Sequence, residues 1–180
     1  MTIDTPALDR KWHVIYVITR HEKKVFEELV KREIEAYLPM RKELHDWSDR
    51  KKWVEVPLFP SYVFVKACSS EYESIYNVKS FLKFVTFNGR PCVVPEWQID
   101  GVRNIIKCYP TDVEVLEGSY RGMWAEITSG PLTGLQGEII ELVNGKTFII
   151  RIEGIDKIIG VRVPVGGVRV LGTAGQFVCG

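Results

Sequence analysis

The sequence predicts an α+β fold in two parts, an α/β sandwich followed by a small all-β barrel. Three observations carry this. Over residues 10–110 the apolar positions switch between strand and helix periods. Glycine is nearly confined to the remainder: Gly89 and Gly101 alone precede residue 111, and the other 13 of the 15 lie from Gly118 onward. Charge divides at the same place, with 18 basic and 15 acidic side chains up to residue 110 and 6 against 8 beyond it. The acidic stretch Tyr109–Gly118, with Pro110 near its start, suits a linker over 111–119, which leaves domains at 10–110 and 120–171.

Trp12–Ile18 is mostly apolar and rich in β-formers, hence a buried strand. From His21 the period changes. Val25, Phe26, Leu29, Val30 and Tyr37 recur at helical spacing, with Glu22, Lys23, Lys24, Glu27, Lys31 and Arg32 mostly opposite them, which predicts an amphipathic helix from about His21 to Ala36. Met40–Trp53, highly charged around Ser48-Asp49-Arg50, predicts a protruding hairpin. Leu58–Val65 reads as a strand entered through a proline. A short helix follows near Ser70–Asn77. Asn88-Gly89 marks a hairpin turn between Phe84–Phe87 and Cys92–Val94. Pro95 then opens a last helix carrying Ile99, Val102, Ile105 and Ile106.

Past the linker, Trp124–Thr128, Gly137–Val143, Thr147–Ile152, Ile158–Val163 and Val168–Val170 read as short strands, with Asn144-Gly145 as a tight turn. A sheet this small must close into a barrel to bury enough apolar area. The stretch also resists helix, because each interior glycine costs a helix roughly 0.5–1 kcal/mol and Pro164 adds ~3.

At 180 residues and a net charge of +1, the chain lacks a histone-like basic coat, which still permits a local basic face. No stretch nears the ~20 apolar residues of a membrane-spanning helix, and the acid-bearing first residues carry no signal peptide. Cys68, Cys92, Cys108 and Cys179 form no C-x-x-C pair; as reduced thiols they place the chain in the cytoplasm. His13, His21 and His45 have no metal-ligand spacing, and no nucleophile elbow, phosphate-binding loop or dinucleotide fingerprint occurs. No enzyme activity, cofactor or metal is expected.

Two segments carry a family resemblance. Leu58-Phe-Pro-Ser-Tyr-Val-Phe-Val65 follows Trp12-His-Val-Ile-Tyr16, with Arg20-His-Glu-Lys-Lys-Val25 opening the helix between them. Gly130-Pro-Leu-Thr-Gly-Leu-Gln-Gly137 precedes a strand and a hairpin. Together they resemble a NusG-type transcription elongation factor, an N-terminal domain joined to a KOW (SH3-like) barrel, over residues 10–171. Within the family the chain is similar to the specialised RfaH-like antiterminators. Among these it resembles the regulators of capsular polysaccharide loci, through Tyr37-Leu-Pro-Met40 and Pro91-Cys-Val-Val-Pro95.

The resemblance implies that the N-terminal domain docks an apolar depression onto the clamp helices of RNA polymerase's largest subunit and suppresses pausing. The matching positions are Val14, Tyr16, Phe59, Pro60, Tyr62 and Phe64. Strand alternation makes plain core burial the competing reading for some of them. The resemblance also implies contact with non-template DNA through His21, Lys24 and Lys31, with Arg20 and Lys23 beside them, while the interleaved Glu27, Glu28 and Glu33 make a solvated face the equal reading. Arg41 and Lys51, in a cluster with Lys42, Arg50 and Lys52, are candidates for upstream DNA or for loose charge. Ser74-Ile-Tyr76 stands where some relatives carry a Thr-rich loop reaching the second large subunit, and does not preserve it. Gly130, Gly134 and Gly137 match glycines that turn the chain at positive φ. The KOW ligands implied are ribosomal protein S10, termination factor Rho or RNA, with Leu132 and Phe148 as apolar candidates. A monomer with no membrane association is expected. Competing readings are a general NusG-like factor and a KOW-bearing RNA- or ribosome-binding protein without a polymerase role. In one specialised relative the second domain hides as a helical hairpin; the β-branched, glycine-broken residues 121–171 predict strands here.

Overall fold

The computed structural model describes residues 9–47, 50–116, 122–142, 145–152, 155, 157–162 and 167–173. In chain order the elements begin with β1 (Lys11–Val17), α1 (Glu22–Lys31), β2 (Glu35–Tyr37), β3 (Met40–Trp47), β4 (Arg50–Pro57) and β5 (Tyr62–Ala67). A 3-10 turn (Ser69–Glu71) leads into α2 (Tyr72–Tyr76), β6 (Phe81–Phe84), β7 (Thr86–Phe87), β8 (Arg90–Pro91), β9 (Val93–Val94) and α3 (Glu96–Cys108). The remaining strands are β10 (Glu114–Leu116), β11 (Met123–Ile127), β12 (Gln136–Leu142), β13 (Gly145–Arg151), β14 (Ile158–Arg162) and β15 (Val168–Thr173). Contacts divide the chain into two units. One comprises Met1–Pro39, Phe59–Glu96 and Glu153–Ile155; the other comprises Met40–Leu58, Trp97–Ile152 and Asp156–Gly180. The charged hairpin and the last helix thus group with the strand-rich half, although the sequence assigns both to 10–110.

In the first unit an antiparallel sheet runs in the order β2-β5-β1-β6, and β9 also pairs with β1 through Trp12↔Val94. The central pair matches Val14 to Phe64 and Tyr16 to Tyr62, so those four share a face; Ile15 and Val63 lie on the other. Val14 and Ile15 are both fully buried. α1 ends at Lys31, not at Ala36. The Arg32 N–H closes onto the Glu28 and Leu29 carbonyls, Glu33 turns left-handed at φ +60°, and Glu35–Tyr37 leave to pair with β5. An edge strand outbids the last helical turn there, helped by Pro39, which disfavours helix at Leu38. The expected strand Leu58–Val65 starts only at Tyr62, because Phe59–Tyr62 is a turn. Asn88 and Gly89 take the predicted positive φ, but their hairpin joins only β7 to β8, while Phe84 and Val93–Val94 pair with β1.

Arg10 Nε donates to Glu71 Oε2 at 3.0 Å, and that oxygen also accepts from the Cys68 amide at 3.0 Å and the Cys68 thiol at 3.2 Å. Burial alone would raise the Glu71 carboxyl; the bonds from Cys68 and Arg10 outweigh it and hold the group below its ordinary 4.5. A depressed carboxyl stabilises the fold above that ordinary value and loses the contribution as pH falls through the lowered one. Glu71→Gln is therefore expected to be less stable than the parent at pH 7. The gap, read from urea midpoints, should shrink as pH drops below 4.5.

In the second unit six antiparallel strands run in the order β10-β14-β13-β12-β11-β15. Residues 139–142 and 148–151 are strands, as their β-branched composition predicts. The path is open: among the described residues β10 and β15 form its two edges and do not pair, so the expected closed barrel is an open, strand-rich sheet consistent with a KOW-like domain. The stretch taken as a linker supplies β10, whose Leu116 packs on the Ile140–Ile149–Ile158 cluster. Glu114-Val-Leu116 is short and acid-flanked, so its strand has little local signal. α3 lies against this sheet. Gly101 leaves room for the Ile150 side chain, which any Cβ there would strike, and Trp97 meets Trp124 edge-on at 5.7 Å. The predicted hairpin exists as β3–β4, eight residue pairs from Met40↔Pro57 to Trp47↔Arg50; its Ser48-Asp49 tip lies outside the described residues, as do Val143-Asn144 and Pro164.

Candidate functional site

The six positions matched to the polymerase-facing depression separate into two groups. Val14, Phe59 and Phe64 are 0%, 1% and 0% exposed. They are core, and as surface contacts they are corrected. Phe64 stands mid-ladder between Tyr37 and Phe59, with ring centroids 6.3 and 6.0 Å away. Phe59 reaches it because the chain folds back at Ser61. Tyr16 and Tyr62 are half-buried neighbours across the β1–β5 pair, their rings 5.3 Å apart, and Pro60 is exposed beside them. Two phenol rings and a pyrrolidine thus make a short apolar ridge at the end of the central strand pair. Rings of this kind, flat and with few rotatable bonds, anchor protein interfaces well.

The ridge is shaped by residues that sequence reasoning missed. Phe59 O accepts from Tyr62 N–H at 3.2 Å, with Pro60 and Ser61 at the corner and Ser61 at φ +69°. Ser61 N–H donates to Glu22 Oε1 at 2.8 Å. Glu22, counted from its helical phase as part of the charged side of α1, is buried. Pro-Ser at the corner of a type II turn was the available signal, since the second corner position requires positive φ and sends its N–H off for a partner.

Arg20, in the loop before α1, and Lys24 and Lys31 on it are exposed; Lys24 and Lys31, seven residues apart, share a face. His21 is half-buried, its Nδ1 2.7 Å from Ser80 Oγ. The acids interleaved with them are not equal. Glu22 is buried, and Glu28 is spent on structure: Oε1 accepts from Arg32 at 2.8 Å and Oε2 from the Lys79 N–H at 3.1 Å. Glu27 and Glu33 lie exposed, as does Glu35 just beyond, while the half-buried Glu28 takes Arg32 as its partner, so burial removes one acid, Glu22, from the face. The hairpin shows the reverse. Arg41 lies 3.4 Å from Glu43 and Lys51 lies 3.1 Å from Asp46 across the ladder, and residues 40–57 hold five basic against four acidic side chains.

Tyr76, in the segment facing the expected second subunit, is exposed and rests on Phe81 and Phe84 at 5.5 and 5.6 Å. Gly130 and Gly134 turn at φ +85° and +86° as expected. Gly137 does not: its need is space, because a Cβ would sit 2.6 Å from Phe148 Cζ and 2.8 Å from the Ile149 carbonyl oxygen. Leu132 and Phe148 are buried and offer no contact surface; among the described residues Met123, Val170 and Leu171 are exposed apolar side chains on this sheet. Among the described residues no helix is long and apolar enough to cross a membrane.

Comparison with known proteins adds the family. No curated protein gives a significant match. Among solved structures the chain is similar to one described as "Domain interaction in Thermotoga maritima NusG", 23% identical, covering 90% of this chain and 97% of that one at a TM-score of 0.50, which shows a shared fold. Two conformations of the MjSpt4:Spt5 complex match at 14% identity, covering 89% of this chain and 98% and 97% of theirs, with TM-scores of 0.30 and 0.31. These superpose too loosely to argue from. The profile of the family described as transcription termination factor nusG matches residues 10–103, more than half the chain. The chain belongs to the NusG family of transcription elongation factors.

Proposed function

We propose that this factor binds RNA polymerase through the Tyr16–Tyr62–Pro60 ridge, meeting the clamp helices of the largest subunit, and thereby suppresses pausing or termination. It acts by binding, not by catalysis. The observation that carries the reading is the accessible aromatic pair at the end of the β1–β5 ladder, set on a buried core that fixes its position. Arg20, His21, Lys24 and Lys31 supply a phosphate-attracting face for non-template DNA, and the burial of Glu22, which bonds the Ser61 N–H, supports it. The hairpin, where Arg41 and Lys51 lie against Glu43 and Asp46, is the weaker candidate for upstream DNA. The resemblance of Tyr37-Leu-Pro-Met40 and Pro91-Cys-Val-Val-Pro95 to capsular-locus regulators supports reading it as a factor for a long polysaccharide-biosynthesis operon, with ribosomal protein S10, Rho or RNA as the class of ligand for the strand-rich domain.

One assay tests this: elongation by purified polymerase on templates with and without the candidate operon leader. Wild type is expected to shorten pauses, and Tyr16→Ala/Tyr62→Ala to bind at least about tenfold more weakly with a native circular dichroism spectrum. Wild-type pause suppression by the folded double mutant refutes the assignment. An effect confined to the leader template marks a specialised factor; an equal effect on both marks a general one.

A further inference from the structure

Resting on the polymerase-binding reading, we propose that Glu22 and Thr19 are positioning residues. They hold the Phe59–Tyr62 turn, and with it Pro60 and Tyr62, in the shape the polymerase meets. Ser61 occupies the left-handed region at the turn position where a type II turn calls for glycine behind proline. A residue with a Cβ stays there only when its surroundings fix it. Three hydrogen bonds do so. Ser61 N–H donates to Glu22 Oε1 at 2.8 Å, Val17 N–H donates to Ser61 O at 2.9 Å, and the Ser61 and Thr19 hydroxyls share a bond at 2.7 Å.

Glu22 is 3% exposed, and burying a charged group is costly unless it is bonded. Its place in the first turn of α1 favours the negative charge. The serine hydroxyl also does what a glycine cannot. It joins the turn to the β1–α1 loop, where Arg20, at φ +67°, and His21 begin the basic face. The aromatic ridge and the basic face therefore share one bonded corner, and the set of one fixes the set of the other.

The test titrates full-length wild type, Glu22→Ala, Glu22→Gln, Thr19→Val and Tyr62→Ala with RNA polymerase core enzyme, with thermal melts alongside. Glu22→Ala is expected to bind about tenfold more weakly and Thr19→Val about threefold, while Glu22→Gln, whose amide oxygen still accepts the Ser61 N–H, stays within about twofold of wild type. A merely structural role would lower the melting temperature and leave the affinity of the folded protein unchanged. Folded Glu22→Ala with wild-type affinity therefore overturns the proposal. Should Glu22→Ala not fold, Thr19→Val decides, since Thr19 is exposed and its hydroxyl is not part of the core; unchanged affinity there overturns it equally. Wild type that fails to bind polymerase sinks the underlying reading. Binding lost in Tyr62→Ala but kept in Glu22→Ala sinks only the positioning role.

Discussion

Phe64→Ala is expected to destabilise the fold by about 3–5 kcal/mol, the range for emptying a buried aromatic site. The ring is fully buried and sits between Tyr37 and Phe59, both held by their own strand or turn, so the cavity has little means to collapse. Equilibrium urea unfolding followed by tryptophan fluorescence measures the loss. Tyr62→Ala on the next same-face position should lose far less stability, because Tyr62 is only half-buried. On the proposed binding mode the contrast separates core from contact: Phe64→Ala should impair polymerase binding only through its unfolded fraction, and Tyr62→Ala should impair it while folded. Equal stability losses for the two would show that the ridge is core after all.

Gly137→Ala carries the second large effect, about 3 kcal/mol, the upper end of what overpacking a filled interior costs. The added methyl would meet the Phe148 ring at 2.6 Å and the Ile149 carbonyl oxygen at 2.8 Å. A ring of a fully buried residue has nowhere to swing, and a carbonyl in the β12–β13 ladder moves only with its strand. Gly134→Ala, at φ +86° with open space around it, should cost about 1–2 kcal/mol from backbone strain alone. Thermal midpoints of the two variants check the order. A milder loss at Gly137 than at Gly134 would contradict the crowding account.

Most elements were legible because their signals are local. The switch of period at His21 located α1, Asn88-Gly89 located a turn, and the glycine-spaced β-branched runs located β11 to β15. The misses share a physical cause, competition from partners distant in sequence. Ala36 and Tyr37 follow a helical period yet pair with Val65 and Phe64. Glu114–Leu116 gains strand structure only from Ile158–Gly160. The site was legible as a pair of segments, not residue by residue. Aromatic residues on one strand face look alike in sequence, and only the turn at Ser61 decides that Phe59 goes inward while Tyr62 stays at the rim. Glu22 and Glu28 illustrate the same limit for charge, since helical phase ranks them with solvated acids and tertiary amides claim both.

The strand β10 bears on how the chain can be dissected. Proteases cut segments that leave the fold easily, and the stretch between α3 and the sheet would ordinarily be the first place to nick. Here Glu114, Val115 and Leu116 are stitched to Gly160, Ile159 and Ile158, and the Pro110 carbonyl accepts the Lys42 N–H at 3.0 Å. Cleavage at 110–116 must first unpick that seam. A gene fragment ending at Pro110 would also strip Ile150 and Leu135 from the Gly101 side of α3, leaving a sticky helix where the intact chain has a packed one. A fragment of residues 1–110 is accordingly expected to melt below the intact chain, and paired thermal melts of the two check it.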